Sequence, residues 1–234
     1  MSDRRDYSLL GRDGVAALKS GLASARWYQT EIPRKSLAAL MKPADGPAIR
    51  DTIILFVAMA GLAGAAAMLY PSWLSVPFFL AYGVLYGSAM DSRWHECGHK
   101  TAFKTRWMTD VVYHIACFCM MRNPHTWRWS HARHHTDTSI VGRDPEIQLM
   151  RPPEFARLMA NFLGLLDVPA GLRLMLVNAL GRLDPQEATY IPDSEHHKVV
   201  RVARVWVLIY AATIGAALMM QSWLPLLLVG TPRL

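Results

Sequence analysis

The fold is decided by residues 53–90, which read IILFVAMAGLAGAAAMLY (Ile53–Tyr70), Pro71-Ser72 and then WLSVPFFLAYGVLYGSAM (Trp73–Met90). Each apolar run is 18 residues long and contains no charged side chain. A helix needs about 20 such residues to cross a hydrocarbon layer about 30 Å thick. The two runs therefore predict a transmembrane helical hairpin, and a buried hairpin in a soluble protein is the weaker alternative.

Further apolar runs predict an all-α integral membrane protein. Val199–Met220 is expected to form a third spanning helix, with Arg201 and Arg204 near the lipid headgroups. Trp223–Gly230 begins a partial fourth span. Shorter elements are expected elsewhere: a surface segment at Ile32–Met41, a continuation of the second helix at Ser88–Lys104, an interfacial helix at Val111–Met121, a helix at His125–Thr138, a loop at Gly142–Pro153, and an interfacial helix pair at Phe155–Leu183 that breaks at Pro169.

Basic residues flank the predicted hairpin and do not form one patch. The formal net charge is +7, and Lys and Arg number nine in residues 1–50, thirteen in residues 91–198 and none from Ile53 to Met90. Since basic loops tend to stay in the cytoplasm, this distribution predicts that both polar segments are cytoplasmic and that the hairpin tip at Pro71 faces out. We expect an inner-membrane protein, and we expect no nucleic-acid partner because topology and anionic headgroups explain the charge better. We therefore divide the chain into a cytoplasmic N-terminal segment, residues 1–50, and a membrane domain, residues 51–234.

Five of the nine histidines fall in two boxes, HECGH at His95–His99 and HARHH at His131–His135. Helical residues four apart share a face, so the first box can hold one metal ion on the cytoplasmic side of the hairpin. Adjacent helical residues differ in direction by about 100°, so His134 and His135 favour two neighbouring ions. Imidazole binds iron, copper or zinc strongly. We predict a dinuclear metal site with no catalytic residue beyond its ligands, which are His95, His99, His131, His134 and His135.

The string HECGH also fits the HExxH signature of zinc peptidases, with Glu96 as the general base. Such a peptidase needs a third ligand and one open position for water. HARHH offers three histidines where one would suffice, and this surplus favours a site with more than one ion. A membrane zinc metallopeptidase is therefore kept as an alternative.

Polar residues near the boxes are expected to support them without binding metal. Glu96 and Asp137 are candidates to hydrogen-bond the non-ligating ring nitrogens. Ion pairs with Arg93 and Arg133 are the alternative. Ordinary structural roles are expected for the other groups: His114 and His125 (packing or hydrogen bonding), Asp144 and Glu146 (loop), His196 and His197 (solvated loop pair), Cys97, Cys117 and Cys119 (free thiols), and Trp94, Trp107, Trp127 and Trp129 (interface belt).

The two boxes, the sequence WRWSHARHHTDT (Trp127–Thr138) and the segment GRDPE (Gly142–Glu146) resemble membrane-bound fatty acid desaturases, particularly bacterial ones. The boxes match that family's HxxxH and HxxHH patterns residue by residue. The resemblance implies a four-helix transmembrane body with a cytoplasmic cap and a non-haem di-iron centre held by histidine. It also implies O2-dependent removal of two hydrogens from the acyl chain of an acyl-lipid or acyl-CoA, with electrons from ferredoxin or a cytochrome b5-like donor.

Attack on an unactivated C–H bond requires a redox-active metal, so iron fits this chemistry better than zinc. The family carries a third box, HxxHH, beyond the fourth transmembrane helix, and we expect this chain to be incomplete at its C-terminus. Two further hypotheses follow. One is a lipid or carotenoid hydroxylase, in which the same kind of centre adds oxygen. The other is a catalytically inactive membrane fragment.

Overall fold

The computed structural model describes residues 6, 8–21, 30–42, 44–147 and 153–230. Within these ranges the regular secondary structure is helical and no strand occurs, in agreement with the all-α prediction. The helices are α1 (Arg12–Lys19), α2 (Arg34–Leu40), α3 (Asp45–Leu69), α4 (Val76–Val84), α5 (Met90–Gly98), α6 (Arg106–Cys119), α7 (Pro124–Asp137), α8 (Phe155–Phe162), α9 (Asp167–Ala179), α10 (Asp193–Met219) and α11 (Leu224–Leu228), with short 3-10 turns at Trp73–Ser75 and Glu187–Thr189.

The chain divides into two compact units. Unit 1 contains Met1–Glu31 and His125–Arg204, and unit 2 contains Ile32–Pro124 and Val205–Leu234. Unit 1 therefore carries the second histidine box, and unit 2 carries the first box together with the hairpin.

The predicted hairpin and third span are confirmed as helices of the right length and composition. In the described residues, three helical stretches are long and apolar enough to cross a membrane: Arg34–Leu69, which includes α2 and α3, Trp73–Gly98, which includes α4 and α5, and Asp193–Met219, which is α10. The bent pair α8 and α9 would be a fourth if both helices formed one span. Only 17%, 22% and 17% of the residues in the apolar windows of the three stretches are buried. A helix that is apolar on all sides and is not buried in protein has the composition of a helix surrounded by lipid.

The second hairpin helix changes its winding just before the first histidine box. Leu85–Ala89 form a π-helical turn between α4 and α5. An extra residue in a helical turn rotates all later side chains by about 100° around the axis. The π turn therefore contributes to the direction in which α5 presents its histidines, and the apolar pattern did not predict it.

The helix that carries the first box ends earlier than predicted. α5 stops at Gly98 with His99 as its C-cap and does not continue to Lys104. Lys100 adopts a left-handed backbone with φ of 59°, and the amides of Lys100 and Thr101 donate to carbonyls of the last helical turn. This Schellman motif ends the helix, and the prediction was wrong because the left-handed position is usually marked by glycine.

The helix pair after the second box also breaks at a different place from the one predicted. α8 ends at Phe162, α9 begins at Asp167, and the two helices are bent by 67°. Pro169, where the break was expected, lies in the first turn of α9. Amides in the first turn of a helix have no partner within the helix, so a proline, which lacks the amide hydrogen, is tolerated there. Gly164, with φ of 72°, forms the turn instead.

The remaining helices follow the predictions with shifted ends. α6 has 14 residues and is too short to span, and α7 covers the predicted helix of the second box. α10 begins at Asp193, so His196 and His197 lie in its first turns and not in the predicted loop. The partial fourth span forms the short helix α11 in the described residues. The predicted loop is irregular over residues 142–147, while residues 148–152 lie outside the described residues.

Candidate metal centre

The first histidine box lies at the end of the second hairpin helix, in unit 2. His95 is in the last turn of α5 and His99 is its C-cap, so both project from the same side. Their ring centroids are 4.9 Å apart, and both side chains are exposed. The structure therefore brings these two predicted ligands close enough to share one ion.

Glu96, within the same box, forms an ion pair with an arginine. Its Oε2 lies 3.3 Å from Nη1 of Arg93, one helical turn earlier. The arginine alternative therefore describes Glu96, and the expected hydrogen bond to an imidazole is not the contact observed for this carboxylate.

The tryptophans and cysteines near the boxes fall into buried and exposed groups. Trp94 is buried, and the guanidinium of Arg122 lies 5.3 Å from its ring centroid in a cation–π contact. Trp107 and Trp129 are exposed, as an interface belt requires. The predicted free thiols are confirmed, since all three cysteines, Cys97, Cys117 and Cys119, are unbridged and buried.

The second box lies on α7 in unit 1, and two of its histidines meet. His131 is buried, and its ring stacks on Trp127 with a centroid distance of 4.2 Å. Nε2 of His131 lies 3.0 Å from Nε2 of His135, one turn further along the helix. Two nitrogen ligands at right angles on one ion, each about 2.1 Å from it, lie about 3.0 Å apart. His131 and His135 therefore fit a metal ion.

The third histidine of this box, His134, is held by a buried aspartate. Both carboxylate oxygens of Asp144 lie 3.0 Å from Nδ1 of His134, and the Asp144 side chain is 0% exposed. The carboxylate also accepts hydrogen bonds from the amides of Ser139, Glu146 and Ile147. Burial alone would raise the pKa of Asp144, but these amides and His134 hold the pKa below its usual value.

The ionised Asp144 determines the tautomer of His134. A carboxylate can only accept hydrogen bonds, so Nδ1 of His134 carries the proton. The lone pair is then on Nε2, which is the atom available to a metal.

Glu146 acts in the same way on His131. Its Oε2 lies 2.9 Å from Nδ1 of His131, and its Oε1 accepts a hydrogen bond of 2.9 Å from the hydroxyl of Ser130. Nδ1 of His131 therefore donates to Glu146, and the lone pair of the ring lies on Nε2, the atom that faces His135. Two of the three histidines in this box are thus oriented by carboxylates of one loop.

The sequence predicts this supporting role for two other carboxylates, Glu96 and Asp137. Asp137 accepts a hydrogen bond of 3.1 Å from Nε of Arg143 and lies 3.8 Å from Nε of Arg133, so the arginine alternative also describes Asp137. Asp144 and Glu146, expected to serve only the loop, contact the imidazoles instead. The available signal was the pair of carboxylates in the string DPE (Asp144–Glu146), which begins nine residues after His135.

The loop that carries these carboxylates is held by the N-terminal helix α1. A Cβ on Gly14 would lie 2.9 Å from Cα of Gly142, and a Cβ on Gly142 would lie 2.7 Å from Cα of Gly14. Gly142 also has a left-handed backbone with φ of 72°. Only glycine satisfies both conditions, so this close approach fixes where the loop leaves α7.

The other histidines make local contacts. Nδ1 of His125 lies 3.8 Å from Glu195, and Nε2 of His196 lies 3.3 Å from the carbonyl oxygen of Ile191. His114 and His197 are exposed on α6 and α10.

Comparison with known proteins agrees with this chemistry. The sequence model described as fatty acid desaturase matches residues 71–234, which include both boxes. The chain is 33% identical over 96 residues to an sn-1 acyl-lipid omega-3 desaturase (ferredoxin) of Nostoc sp. (strain 36), a match covering 41% of this chain and 25% of the relative. It is 32% identical over 106 residues to an sn-1 oleoyl-lipid 12-desaturase of Anabaena variabilis, with 44% and 29% covered. The chain thus spans less than a third of the length of these relatives. No solved structure matches it.

Proposed function

Because the chain belongs to the fatty acid desaturase family, we propose that its two histidine boxes hold iron in a dinuclear centre and serve the O2-dependent desaturation of a lipid acyl chain. The observation that supports this proposal is that the histidines of the second box are already oriented for metal binding. Asp144 and Glu146 keep two imidazoles protonated on Nδ1, and the Nε2 atoms of His131 and His135 lie 3.0 Å apart. The proposed ligands are His95, His99, His131, His134 and His135.

Iron in this site would supply the redox chemistry that removal of hydrogen from an unactivated methylene group requires. The residues of the chain prepare the ligands. Asp144 and Glu146 hold the Nδ1 protons and prevent the rings from turning. Trp127 covers one face of the His131 ring and shields it from water. Nδ1 of His134 faces Asp144, and the short contact between Nε2 atoms is made by His131 and His135. We therefore assign His134 to a second ion.

The names of the relatives support an acyl-lipid substrate and ferredoxin as the electron donor. An acyl-CoA substrate and a cytochrome b5-like donor are the alternatives. We also propose that both boxes lie on the cytoplasmic side of the inner membrane, because basic residues flank the hairpin and none occurs within its apolar runs.

Lipid analysis tests this function. Cells that express the chain with ferredoxin and its reductase are expected to contain acyl chains lighter by two hydrogens than cells that express a His131→Ala, His135→Ala variant. Acyl chains heavier by one oxygen would favour the hydroxylase hypothesis. Identical lipids in both cultures would contradict the catalytic role and favour the inactive-fragment hypothesis.

The zinc peptidase alternative receives less support. Family membership points to oxidation of a lipid, and Glu96, the general base that a peptidase would need, is paired with Arg93.

A further inference from the structure

Unit 1 carries a large apolar surface that remains exposed and is not packed into a protein core. On α8, the residues Phe155, Leu158, Met159 and Phe162 are all exposed and recur at the spacing of one helix face. Phe162 is 84% exposed, at the end of the helix where the chain turns towards α9. The polar residues Arg157 and Asn161 lie four apart on a different face. α8 is therefore amphipathic, with its apolar side unburied.

The second helix of the pair extends this surface. One face of α9 is buried through Met175 and Asn178. Leu172, Leu176 and Leu180, four residues apart, are exposed, and Leu180 is 78% exposed. We define the α8–α9 surface by its apolar residues that are more than half exposed, which are Phe155, Met159, Phe162, Leu163, Leu165, Leu176 and Leu180.

The charges of this segment oppose its crossing a membrane. α8 and α9 are 8 and 13 residues long, and each is shorter than the roughly 20 residues of a span. The two helices together are long and apolar enough for one bent span, but such a span would bring Asp167 and Arg173 into the hydrocarbon layer, where charged side chains are costly. Such a segment is suited to the headgroup region, with its apolar side chains about 5–10 Å deep and its arginines near anionic phosphates.

A contact within unit 1 ties this surface to the start of a spanning helix. Nε of Arg204 on α10 donates a hydrogen bond of 2.9 Å to the carbonyl oxygen of Ala179, the last residue of α9. Arg204 and Arg201 are exposed, and the uncharged part of α10 follows directly after Arg204. The end of α9 is therefore fixed beside the point where α10 passes from charged to apolar sequence.

We propose that the α8–α9 surface lies in the headgroup region of one leaflet, with the acyl chains of an anionic phospholipid bilayer as its occupant. In this arrangement the segment is an in-plane anchor that holds unit 1, and with it the second histidine box, against the membrane. The inference goes beyond the proposed function because it requires neither metal nor turnover.

Spin labels on the full chain in sealed vesicles of phosphatidylethanolamine and phosphatidylglycerol test this inference. Phe162→Cys and Leu180→Cys introduce label sites at highly exposed positions, while the three native cysteines are buried. Ala188→Cys, exposed in the 3-10 turn of the same unit, is the control. Oxygen, which concentrates in lipid, is expected to relax the labels at 162 and 180 several-fold more than a water-soluble nickel complex, and the order is expected to reverse at 188.

Three results would overturn the inference. A label at 162 and 180 that responds to nickel as the label at 188 does would show that the surface faces water. Protection of these labels from both oxygen and nickel would show that protein, such as a second copy of the chain, covers the surface. Labelling of Pro153→Cys and Arg182→Cys from opposite sides of the vesicle would show that the segment spans the bilayer.

Discussion

Asp144 lies with both carboxylate oxygens 3.0 Å from Nδ1 of His134, and its side chain has no exposure to solvent. If this ring turned or changed its tautomer, the buried carboxylate would lose the hydrogen bond from His134 and keep only those from backbone amides, which is unfavourable. Glu146 holds His131 at 2.9 Å by the same means. The loop after α7 therefore determines the orientation of two histidines in the second box.

Replacing Asp144 by asparagine is expected to weaken metal binding. The amide of the substituted side chain would offer its one oxygen to Nδ1 of His134 and would carry no charge, so a loss of roughly 10–100-fold in iron affinity is expected. Chelator competition on the reconstituted chain measures this loss. Asp137→Asn is the matched control, since Asp137 is also buried but pairs with arginine. Equal losses in the two variants would show that Asp144 has no special relation to the metal.

Glu146→Gln is expected to lower iron affinity by a similar factor, because the neutral amide holds the Nδ1 proton of His131 less strongly. Glu96→Gln is the comparison, and it should leave iron affinity within about twofold, since an exposed ion pair contributes little. Iron content at a fixed chelator concentration distinguishes the two variants. The reverse order would transfer the supporting role to Glu96 and revive the peptidase hypothesis.

Gly142→Ala is expected to displace the loop that orients the second box, because Gly142 packs closely against Gly14 of α1. The added Cβ would clash with Gly14, and the left-handed backbone would be strained, at a cost of about 1–3 kcal/mol in the free energy of unfolding. Thermal unfolding and iron affinity should both fall. Gly64→Ala in α3, where a Cβ meets nothing within 4 Å, is the control and should lower neither. Unchanged iron affinity in the Gly142→Ala variant would show that the position of this loop does not affect metal binding.

The stability of unit 1 is expected to depend on pH through Glu187. Burial raises the pKa of Glu187 above its ordinary value of 4.5, although the amide of Asp184 and the side chain of Asn178 donate to it. The folded state therefore binds more protons than the unfolded state, and the free energy of unfolding decreases as pH rises from about 4.5 through the folded pKa. The Tm of Glu187→Gln should fall less over this range. A steeper fall in the variant would contradict the assignment.

The sequence predicted the parts of this structure that depend on composition and length. The hairpin follows from two uncharged apolar runs, and α10 follows from an apolar run whose only charges are two arginines near its start, because lipid accepts any sufficiently long apolar helix. The contact between Asp144 and His134 could not be predicted in this way. It depends on the path of an irregular segment, which is fixed by the approach of Gly14 to Gly142. The end of α5 was also missed, because its left-handed residue is a lysine and not a glycine.

The central claim, that the two histidine boxes together bind iron, is tested most directly by the metal content of the purified full chain. We predict that the chain contains iron, that His95→Ala and His131→Ala each remove most of it, and that His197→Ala, at an exposed histidine of α10, retains it. Zinc in place of iron, or iron that remains in both box variants, would contradict the claim.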